Sequence, residues 1–419
     1  MEQVSVKDFS KNYLFLGILF AAIVVGCIVG AVWPGATALE PLGTVFINIM
    51  FCIVVPLVFC SIAGTVANMA DLKRAGKLIS STIIIFLVTG MFTCIVMIIL
   101  MKAYPPVLTP WRGLEAAEDV SRTSIPTLIV NFFTVSDFAG LLSRRAMLPL
   151  IVFAMLFGFG VALTGGKDST VGKLLEDMNK AMLQVVKIVT YYAPIAFFGF
   201  FAALVAEYGP QLIGDYGRAM LVYYPLCIVY VLLAFPFYAW LGGGKGAAKM
   251  LLSKLPRSAI TALGTCSSVA TIPTNMSVAE ESGVPKDVAN VVIPLGATMH
   301  MDGTTISGVC KIAFLFGVFG IPFAGAGLFI KVVIVCTFAA VAVSGIPGGG
   351  YIGEFIICVV FFPNQLALAY PIAVTIGNLV DPPATLVNSS GDFAVTFLVS
   401  RIADGKDWFQ KAQARKKAA

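Results

Sequence analysis

The sequence predicts an all-α polytopic membrane protein with eight transmembrane helices and two re-entrant helical hairpins, arranged as inverted repeats. Three observations support this fold class: 58% of the 419 residues are hydrophobic, only 12% are charged, and long apolar runs recur along the chain. Soluble domains average about 25% charged residues, so this chain cannot cover the surface of a water-soluble globule. Apolar runs of about 20 residues favour helices over the shorter alternating strands of an outer-membrane barrel.

Composition also excludes several functional classes. The single histidine excludes a histidine-cluster metal site and most catalytic triads. The nine cysteines lie mostly in apolar runs and form no CxxC pair, so we expect small buried side chains. The net charge of +6 is concentrated in the loops and the tail, which indicates membrane lipid and not nucleic acid as a partner.

The first 252 residues predict six conventional spans. These spans lie near residues 13–33, 45–67, 78–101, 147–164, 183–206 and 219–241. If the N-terminus is cytoplasmic, most lysines and arginines outside the spans fall on the cytoplasmic side, together with a basic tail at 403–419. The positive-inside rule then predicts a multi-pass protein of a bacterial-type inner membrane with both termini in the cytoplasm.

The second half departs from this pattern at two places. Segment 253–284 is interrupted by Gly264–Ser268 and Pro273, and both of its flanks are charged and cytoplasmic in character. Segment 327–362 has two apolar arms around Ser344–Gly350. A segment that enters and leaves on the same side of the membrane is re-entrant, so we expect two hairpins with their tips inside the bilayer.

Each predicted hairpin is followed by a broken span. Span 285–318 is interrupted around His300–Gly303, and span 366–402 is expected to unwind at Asp381–Pro383. Interrupted segments at matching places in two halves are the inverted-repeat signature of a secondary transporter. Non-helical backbone at membrane depth must face protein or a watery cavity, so the tips and breaks should converge on a site near the midplane.

Four ordered motifs carry a resemblance to a known family. They are Ser267–Pro273, Met301–Thr304, Gly345–Gly349 and the Asp381…Thr385…Asn388…Asp392 series. These motifs resemble the dicarboxylate/amino acid:cation symporter family, which includes archaeal aspartate and mammalian glutamate transporters. The resemblance implies a homotrimer in which a transport core at 253–402 slides as an elevator. Residues 1–252 then supply scaffold and trimerisation spans 1, 2, 4 and 5, while spans 3 and 6 join the core.

Three carboxylates in apolar spans indicate that the protein binds positively charged groups. Asp302, Asp381 and Asp392 would each cost roughly 2.5–3.5 kcal/mol at the bilayer centre by insertion scales. We expect bound cations or a substrate ammonium to compensate them, with the capping of broken helices as the structural alternative. Carboxylates, carbonyls and hydroxyls are hard ligands that suit sodium.

By resemblance, individual residues acquire expected roles. Asp392, Asn388 and the Gly296 carbonyl would form one sodium site, Asp302 and Thr89 a second, and the Thr298 carbonyl a third with hairpin backbone, while His300 stands within this cation region. The substrate contacts implied by the resemblance are Ser267, Ser268, Thr304, Ile346, Gly350, Asp381, Ala384, Thr385 and Asn388. Asp381 and Thr385 would bind an ammonium, and Asn388 and the Ser268 amide a carboxylate. For the Ser267 hydroxyl, helix capping and ligand contact remain equal alternatives.

Departures from the family pattern bear on the substrate. Acidic-substrate members carry an arginine at the place of Ala384 or Cys266, and this chain has no arginine between Arg257 and Arg401. A second buried carboxylate would lack its partner, so we expect sodium-coupled uptake of a neutral amino acid such as serine, threonine or alanine. The alternative is a dicarboxylate or acidic amino acid, with Lys311 as the missing cation; we expect Lys311 instead to face an outer vestibule or to snorkel.

The cation region also departs from the family. His300 replaces an asparagine, while Phe86 and Gly90 stand where a tyrosine and a serine are usual. One hypothesis is that a proton on His300 replaces one sodium ion, and the alternative is a neutral, hydrogen-bonded histidine.

Functions outside transport have weaker support in the sequence. An intramembrane aspartyl protease would need a Gly-x-Gly-Asp stretch, and Ser389–Asp392 lacks the first glycine. A channel is the remaining alternative, which saturable, gradient-driven uptake would separate from a transporter. No nucleotide-binding loop is present in the sequence, so direct coupling to ATP has no support, and we expect no enzymatic activity.

Overall fold

The computed structural model describes residues 6–67, 75–111, 130, 134–143, 146–209, 211–343 and 350–418. The helices of the first part are α1 Val6–Val32, α2 Glu40–Ala67, α3 Ala75–Ala103, α4 Phe138–Leu141, α5 Met147–Leu163, α6 Thr170–Thr190, α7 Ala193–Tyr208 and α8 Gln211–Gly243. Those of the second part are α9 Ala247–Thr265, α10 Ser268–Ser282, α11 Lys286–Met299, α12 Asp302–Val318, α13 Ala326–Ala342, α14 Tyr351–Phe361, α15 Leu366–Asp404 and α16 Trp408–Ala418. All regular structure in these ranges is helical, which confirms the predicted all-α class for the described part of the chain.

Several helices are apolar on their outer faces. By length and composition, three stretches within the described residues could cross a membrane: Leu78–Ala103, Ile213–Gly243 and Lys286–Val318. Large apolar side chains such as Ile84 and Leu233 are 60% and 67% exposed, as expected where a helix faces lipid.

The helices pack in two groups. In the first group, α1 packs on α7, and α2 packs on α5, α6 and α7. In the second group, α15 lies against α8, α9, α11 and α12, and α3 packs on α12 and α13. Small residues allow close contacts between helices; a Cβ at Gly26 of α1 would lie 2.5 Å from the Phe198 carbonyl oxygen of α7.

The predicted fifth span at 183–206 is wrong in its boundaries. The structure instead has two helices, α6 and α7, separated at Tyr191–Tyr192. Pro194 stands in the first turn of α7, where its missing N–H is tolerated, but inside a longer helix it would remove a hydrogen bond and clash with the preceding turn. Helix α6 is amphipathic and begins at the Ser169 cap, whose hydroxyl accepts a hydrogen bond from the Gly172 amide at 3.0 Å.

The first hairpin and the broken span after it follow the predicted pattern. Helices α9 and α10 form the arms of hairpin 1, and Cys266–Ser267 form its tip. At the opposite end of the arms, Glu281 accepts hydrogen bonds from Lys254 at 2.5 Å and from Arg257 at 2.6 Å. The next span is divided into α11 and α12 at His300–Met301, where the backbone leaves the helical region.

Hairpin 2 has α13 and α14 as its arms, and its predicted tip residues 344–349 lie outside the described residues. The expected interruption of the last span at Asp381–Pro383 is wrong, because α15 is continuous from Leu366 to Asp404. Pro383 removes the hydrogen bond to the Leu379 carbonyl, but the Tyr224 hydroxyl donates to that carbonyl at 2.6 Å. Neighbouring helices can satisfy backbone groups that a proline frees within a membrane, so the helix persists.

The C-terminal residues form α16, which packs against the rest of the protein. The side chains of Trp408 and Phe409 are buried, and the Trp408 indole donates a hydrogen bond to the Gly242 carbonyl at 2.9 Å. The Gln413 amide donates to the Ser282 carbonyl at the end of hairpin 1 at 3.0 Å. The tail is therefore tied to both α8 and hairpin 1.

Candidate functional site

A polar cavity lies among the tip of hairpin 1, the start of α12, the second arm of hairpin 2 and the middle of α15. Its volume is about 40 Å³, which leaves room for only a few water molecules. The predicted substrate residues that line it are Ser268, Thr304, Gly350, Asp381, Ala384, Thr385 and Asn388. Ile346 lies outside the described residues. Residues from four separate parts of the sequence therefore meet at this cavity.

Ser267 caps a helix at the edge of this cavity. Its backbone is extended, and its hydroxyl accepts a hydrogen bond from the Ala270 amide at 3.2 Å, which begins α10. Cys266 before it is left-handed, with φ of 48°, and ends α9. The tip of hairpin 1 is therefore a two-residue turn, and the N-terminal amides of α10 lie beside Ser268 at the cavity wall. Such amides favour an anion.

Asn388 fastens the start of α12 to α15. Its side-chain oxygen accepts hydrogen bonds from the Gly303 amide at 2.7 Å and the Thr304 amide at 3.3 Å. Its amide nitrogen donates to the Thr304 hydroxyl at 3.1 Å. The two helices approach closely here, because a Cβ at Gly303 would lie 2.4 Å from the Ala384 carbonyl oxygen. Asn388 thus satisfies amides that the break before α12 leaves without helical partners.

Asp381 has a different environment from the other two aspartates. It lines the cavity, and no described residue forms a hydrogen bond with its carboxylate. Lys311 lines the same cavity and is 2% exposed, so the expectation that it faces an outer vestibule or snorkels is wrong. Its ammonium lies 2.5 Å from a Glu354 carboxylate oxygen. The pairing partner was missed, although a lone acid within the apolar run Tyr351–Phe361 is the same signal that identified the three aspartates.

A second polar cluster surrounds His300. Its Nδ1 lies 3.1 Å from Asp392 Oδ1, and its Nε2 lies 3.4 Å from Asp302 Oδ2 and 3.1 Å from the Thr89 hydroxyl. The Phe86 ring stacks on the imidazole with centroids 4.4 Å apart. His300 thus lies between Asp302 and Asp392, two of the acids that we expected bound cations to compensate.

Asp302 also receives hydrogen bonds from two neighbouring spans. The Thr89 hydroxyl of α3 donates to Oδ1 at 3.1 Å, and the Tyr230 hydroxyl of α8 donates to Oδ2 at 2.9 Å. Tyr230 in turn shares a hydrogen bond of 2.8 Å with Tyr238. Sequence reasoning missed both tyrosines, because tyrosines are common in apolar spans and nothing local marks these two.

Some of the predicted sodium ligands lie in this second cluster. Asp392 packs directly on Gly296, where a Cβ would lie 2.3 Å from Oδ1, and the Gly296 carbonyl accepts the His300 amide at 2.8 Å. The Thr298 hydroxyl donates to the Leu295 carbonyl at 3.0 Å. Within the described part of the chain, Asp392 Oδ2 is buried without a hydrogen-bond partner. A buried carboxylate oxygen of this kind fits a cation or a proton, although no three His, Cys, Asp or Glu side chains of the described chain form a metal-binding group.

The chain is similar to known transport proteins over most of its length. The sequence is similar to a C4-dicarboxylate transport protein of Caulobacter vibrioides, 26% identical over 394 residues, which cover 91% of this chain and 93% of that protein. A proton/sodium-glutamate symport protein of Bacillus caldotenax is 26% identical over 409 residues, with 91% and 93% covered. A C4-dicarboxylate transport protein of Rhizobium etli is 26% identical over 413 residues, with 96% and 92% covered.

The profile of one transporter family matches nearly the whole chain. It is described as the sodium:dicarboxylate symporter family, and the match extends over residues 14–402. That range includes both hairpins, the broken span and the whole polar cavity. The chain therefore belongs to the sodium:dicarboxylate symporter family.

Proposed function

We propose that this protein is a secondary active symporter that moves a small acidic molecule, a C4-dicarboxylate or an acidic amino acid, together with a cation. The observation that carries this proposal is the ammonium of Lys311 in the cavity, opposite the carboxylate of Asp381. Lys311 is the one cationic side chain among the described residues that line the cavity, so it supplies the positive charge that the missing arginine would have supplied.

The names of the relatives also favour an acidic substrate over the neutral amino acid expected from the sequence. The relatives from Caulobacter vibrioides and Rhizobium etli are named for C4-dicarboxylates, and that from Bacillus caldotenax for glutamate. One observation keeps a neutral amino acid as the second candidate: Glu354 already pairs with Lys311, while Asp381 is available to bind an ammonium.

Within this function, the cavity residues divide by charge. The Asp381 carboxylate and the Thr385 hydroxyl would bind an ammonium of an amino acid substrate. Thr304, the amide of Ser268 and the N-terminus of α10 would bind its main carboxylate, as helix N-termini favour anions. The cavity is too small for a four-carbon diacid, so binding requires hairpin 2 to move away from α15.

We infer further that cation coupling resides in the His300 cluster. Sodium would be held by oxygens of Asp392, Gly296, Asp302 and Thr89, where it would compensate the buried carboxylates. The His300 ring stands between the two aspartates, so a proton on it would supply the same positive charge at one of these positions. That arrangement supports our proposal of a proton-coupled or mixed sodium and proton mechanism.

We propose that the two packing groups act as a scaffold and a transport core. Helices α3 and α8 pack on residues 253–402, whereas α1, α2, α5, α6 and α7 pack on one another. This division suits a core that slides across the membrane as an elevator. We propose that the protein is a homotrimer in a bacterial-type inner membrane and that both termini are cytoplasmic. Native mass measurement of the purified protein tests the trimer, and one or two copies per particle would contradict it.

Uptake into proteoliposomes tests the function. We expect saturable accumulation of labelled succinate or aspartate under an inward gradient of sodium or protons, and none when both gradients are collapsed. Labelled serine, with excess succinate and aspartate as competitors, separates the two candidates. Accumulation of serine that neither acid inhibits would contradict an acidic substrate, and flux that fails to saturate would indicate a channel.

A further inference from the structure

A buried ion pair joins two helices that line the cavity. Lys311 belongs to α12 and Glu354 to α14, which is an arm of hairpin 2. Their charged atoms lie 2.5 Å apart, and each side chain is 3% exposed. Both side chains line the cavity that contains Asp381. The pair therefore lies where a substrate must bind, and not in a remote structural position.

The hydrogen bonding of this pair is incomplete. The Lys311 ammonium donates to Glu354 and, at 3.1 Å, to the Ser307 hydroxyl. Glu354 Oε2 is buried and has no hydrogen-bond partner among the described residues. A buried ion pair is favourable only when its remaining donors and acceptors are also satisfied. A pair formed purely for stability would be expected to satisfy that oxygen.

Two glycines make space for the Glu354 carboxylate. A Cβ at Gly377 of α15 would lie 2.4 Å from Oε1, and a Cβ at Gly350 would lie 3.3 Å from Oε2. Both glycines also line the cavity. The carboxylate thus occupies a small pocket on the cavity wall, beside the ammonium that a substrate carboxylate would require.

The charges of the cavity explain what such an arrangement does. With all three groups ionised, Lys311, Glu354 and Asp381 sum to one negative charge, which opposes entry of an anion. A neutral amino acid has a single carboxylate, which the Ser268 amide and the N-terminus of α10 would bind, so it offers no second carboxylate to compete for Lys311. A second carboxylate is the same chemical group as the Glu354 side chain and can take its place on the ammonium, which is a compact charge on a flexible stem.

We propose that Lys311 binds the second carboxylate of the substrate, and that Glu354 is a built-in competitor that holds Lys311 in position until such a carboxylate arrives. This inference rests on the proposed acidic substrate and identifies the residue pair that selects it. Lys311 is then the specificity-determining residue, and Glu354 is a positioning residue that acts through it.

Ligand titration of purified variants in sodium-containing buffer tests the proposal, with succinate, aspartate and serine as probes. The double variant Lys311→Met with Glu354→Gln removes both charges and leaves no unpaired buried ion. We expect at least a tenfold rise in the Kd of whichever acid the wild type binds, with the Kd of serine, where measurable, unchanged. Glu354→Asp keeps the charge but shortens the competitor, and it should lower the acid Kd severalfold.

The outcomes separate the possibilities. If the double variant binds the acid with the wild-type Kd, the pair is only a structural tie and this inference is overturned, while the proposed function stands. If the wild type binds neither acid, the proposed function and the inference both fail. If the double variant does not fold, the Glu354→Asp variant decides. An unchanged or higher Kd for the acid overturns the inference, because shortening a side chain that serves only a structural ion pair would not improve binding of the acid.

Discussion

His300 Nδ1 and Asp392 Oδ1 lie 3.1 Å apart in the core of the protein, although 92 positions separate the two residues in the sequence. Both side chains are fully buried. Because the other ring nitrogen lies near Asp302, one imidazole connects both carboxylates of the cation region. The single histidine of the chain therefore lies between two acids whose negative charges would otherwise need bound cations to compensate them.

Replacement of His300 by asparagine tests whether the ring carries a coupled proton. We expect His300→Asn to change the dependence of uptake on external pH, because histidine is the side chain whose charge its surroundings most readily shift across physiological pH. Uptake should then depend more steeply on sodium. Rates in proteoliposomes at several pH values measure both effects. No other histidine contributes to the profile, and an unchanged profile would end the hypothesis.

Replacement of Asp381 by asparagine distinguishes amino acid from dicarboxylate substrates. An ammonium bound to a carboxylate contributes about 1.5–3 kcal/mol, so Asp381→Asn should weaken aspartate binding about ten- to a hundredfold. Succinate has no ammonium and should bind no less tightly. Competition against one labelled substrate gives both constants. Asp177→Asn on exposed α6 is the control, and an equal loss for both ligands would contradict the assigned role.

The Tyr230 hydroxyl should stabilise the fold through Asp302. Tyr230→Phe leaves Asp302 Oδ2 without this donor, and loss of a hydrogen bond to a buried charge costs about 1–3 kcal/mol. We expect a clear drop in the thermal midpoint in detergent. Tyr238→Phe is a matched control, because the Tyr238 hydroxyl contacts Tyr230 and not Asp302. Equal midpoints for the two variants would show that the contact with Asp302 has no special weight.

Close packing at Gly303 should tolerate no side chain. A methyl group there would lie 2.4 Å from the Ala384 carbonyl oxygen and 2.8 Å from its Cα, and backbone atoms cannot rotate away. Overpacking costs about 1–3 kcal/mol, so Gly303→Ala should lower the thermal midpoint. It should also displace the Gly303 amide, which donates a hydrogen bond to the Asn388 side-chain oxygen. Gly327→Ala, with nothing within 4 Å, is the control. A wild-type midpoint and wild-type ligand binding in Gly303→Ala would refute this account.

The sequence predicted the features that depend on local chemistry. Hairpin 1, expected at 253–284, has its arms at Ala247–Thr265 and Ser268–Ser282, and the following span breaks at His300–Met301. Glycines, prolines and isolated charges affect the backbone at their own positions, so their effects can be predicted without knowledge of the fold. The same local reasoning failed at Pro383, because a tyrosine from another helix satisfies the carbonyl that this proline frees.

The sequence by itself determined that the chain is a helical membrane protein of this transporter family with interrupted segments around a polar site, since scarcity of charge and the order of motifs are properties of the chain alone. Only the tertiary structure decided which charges meet. Lys311 and Glu354 are 43 positions apart, and Thr89 and Asp302 are 213 apart. Such partners come together only when helices pack, and the chemistry of the cavity depends on those pairings.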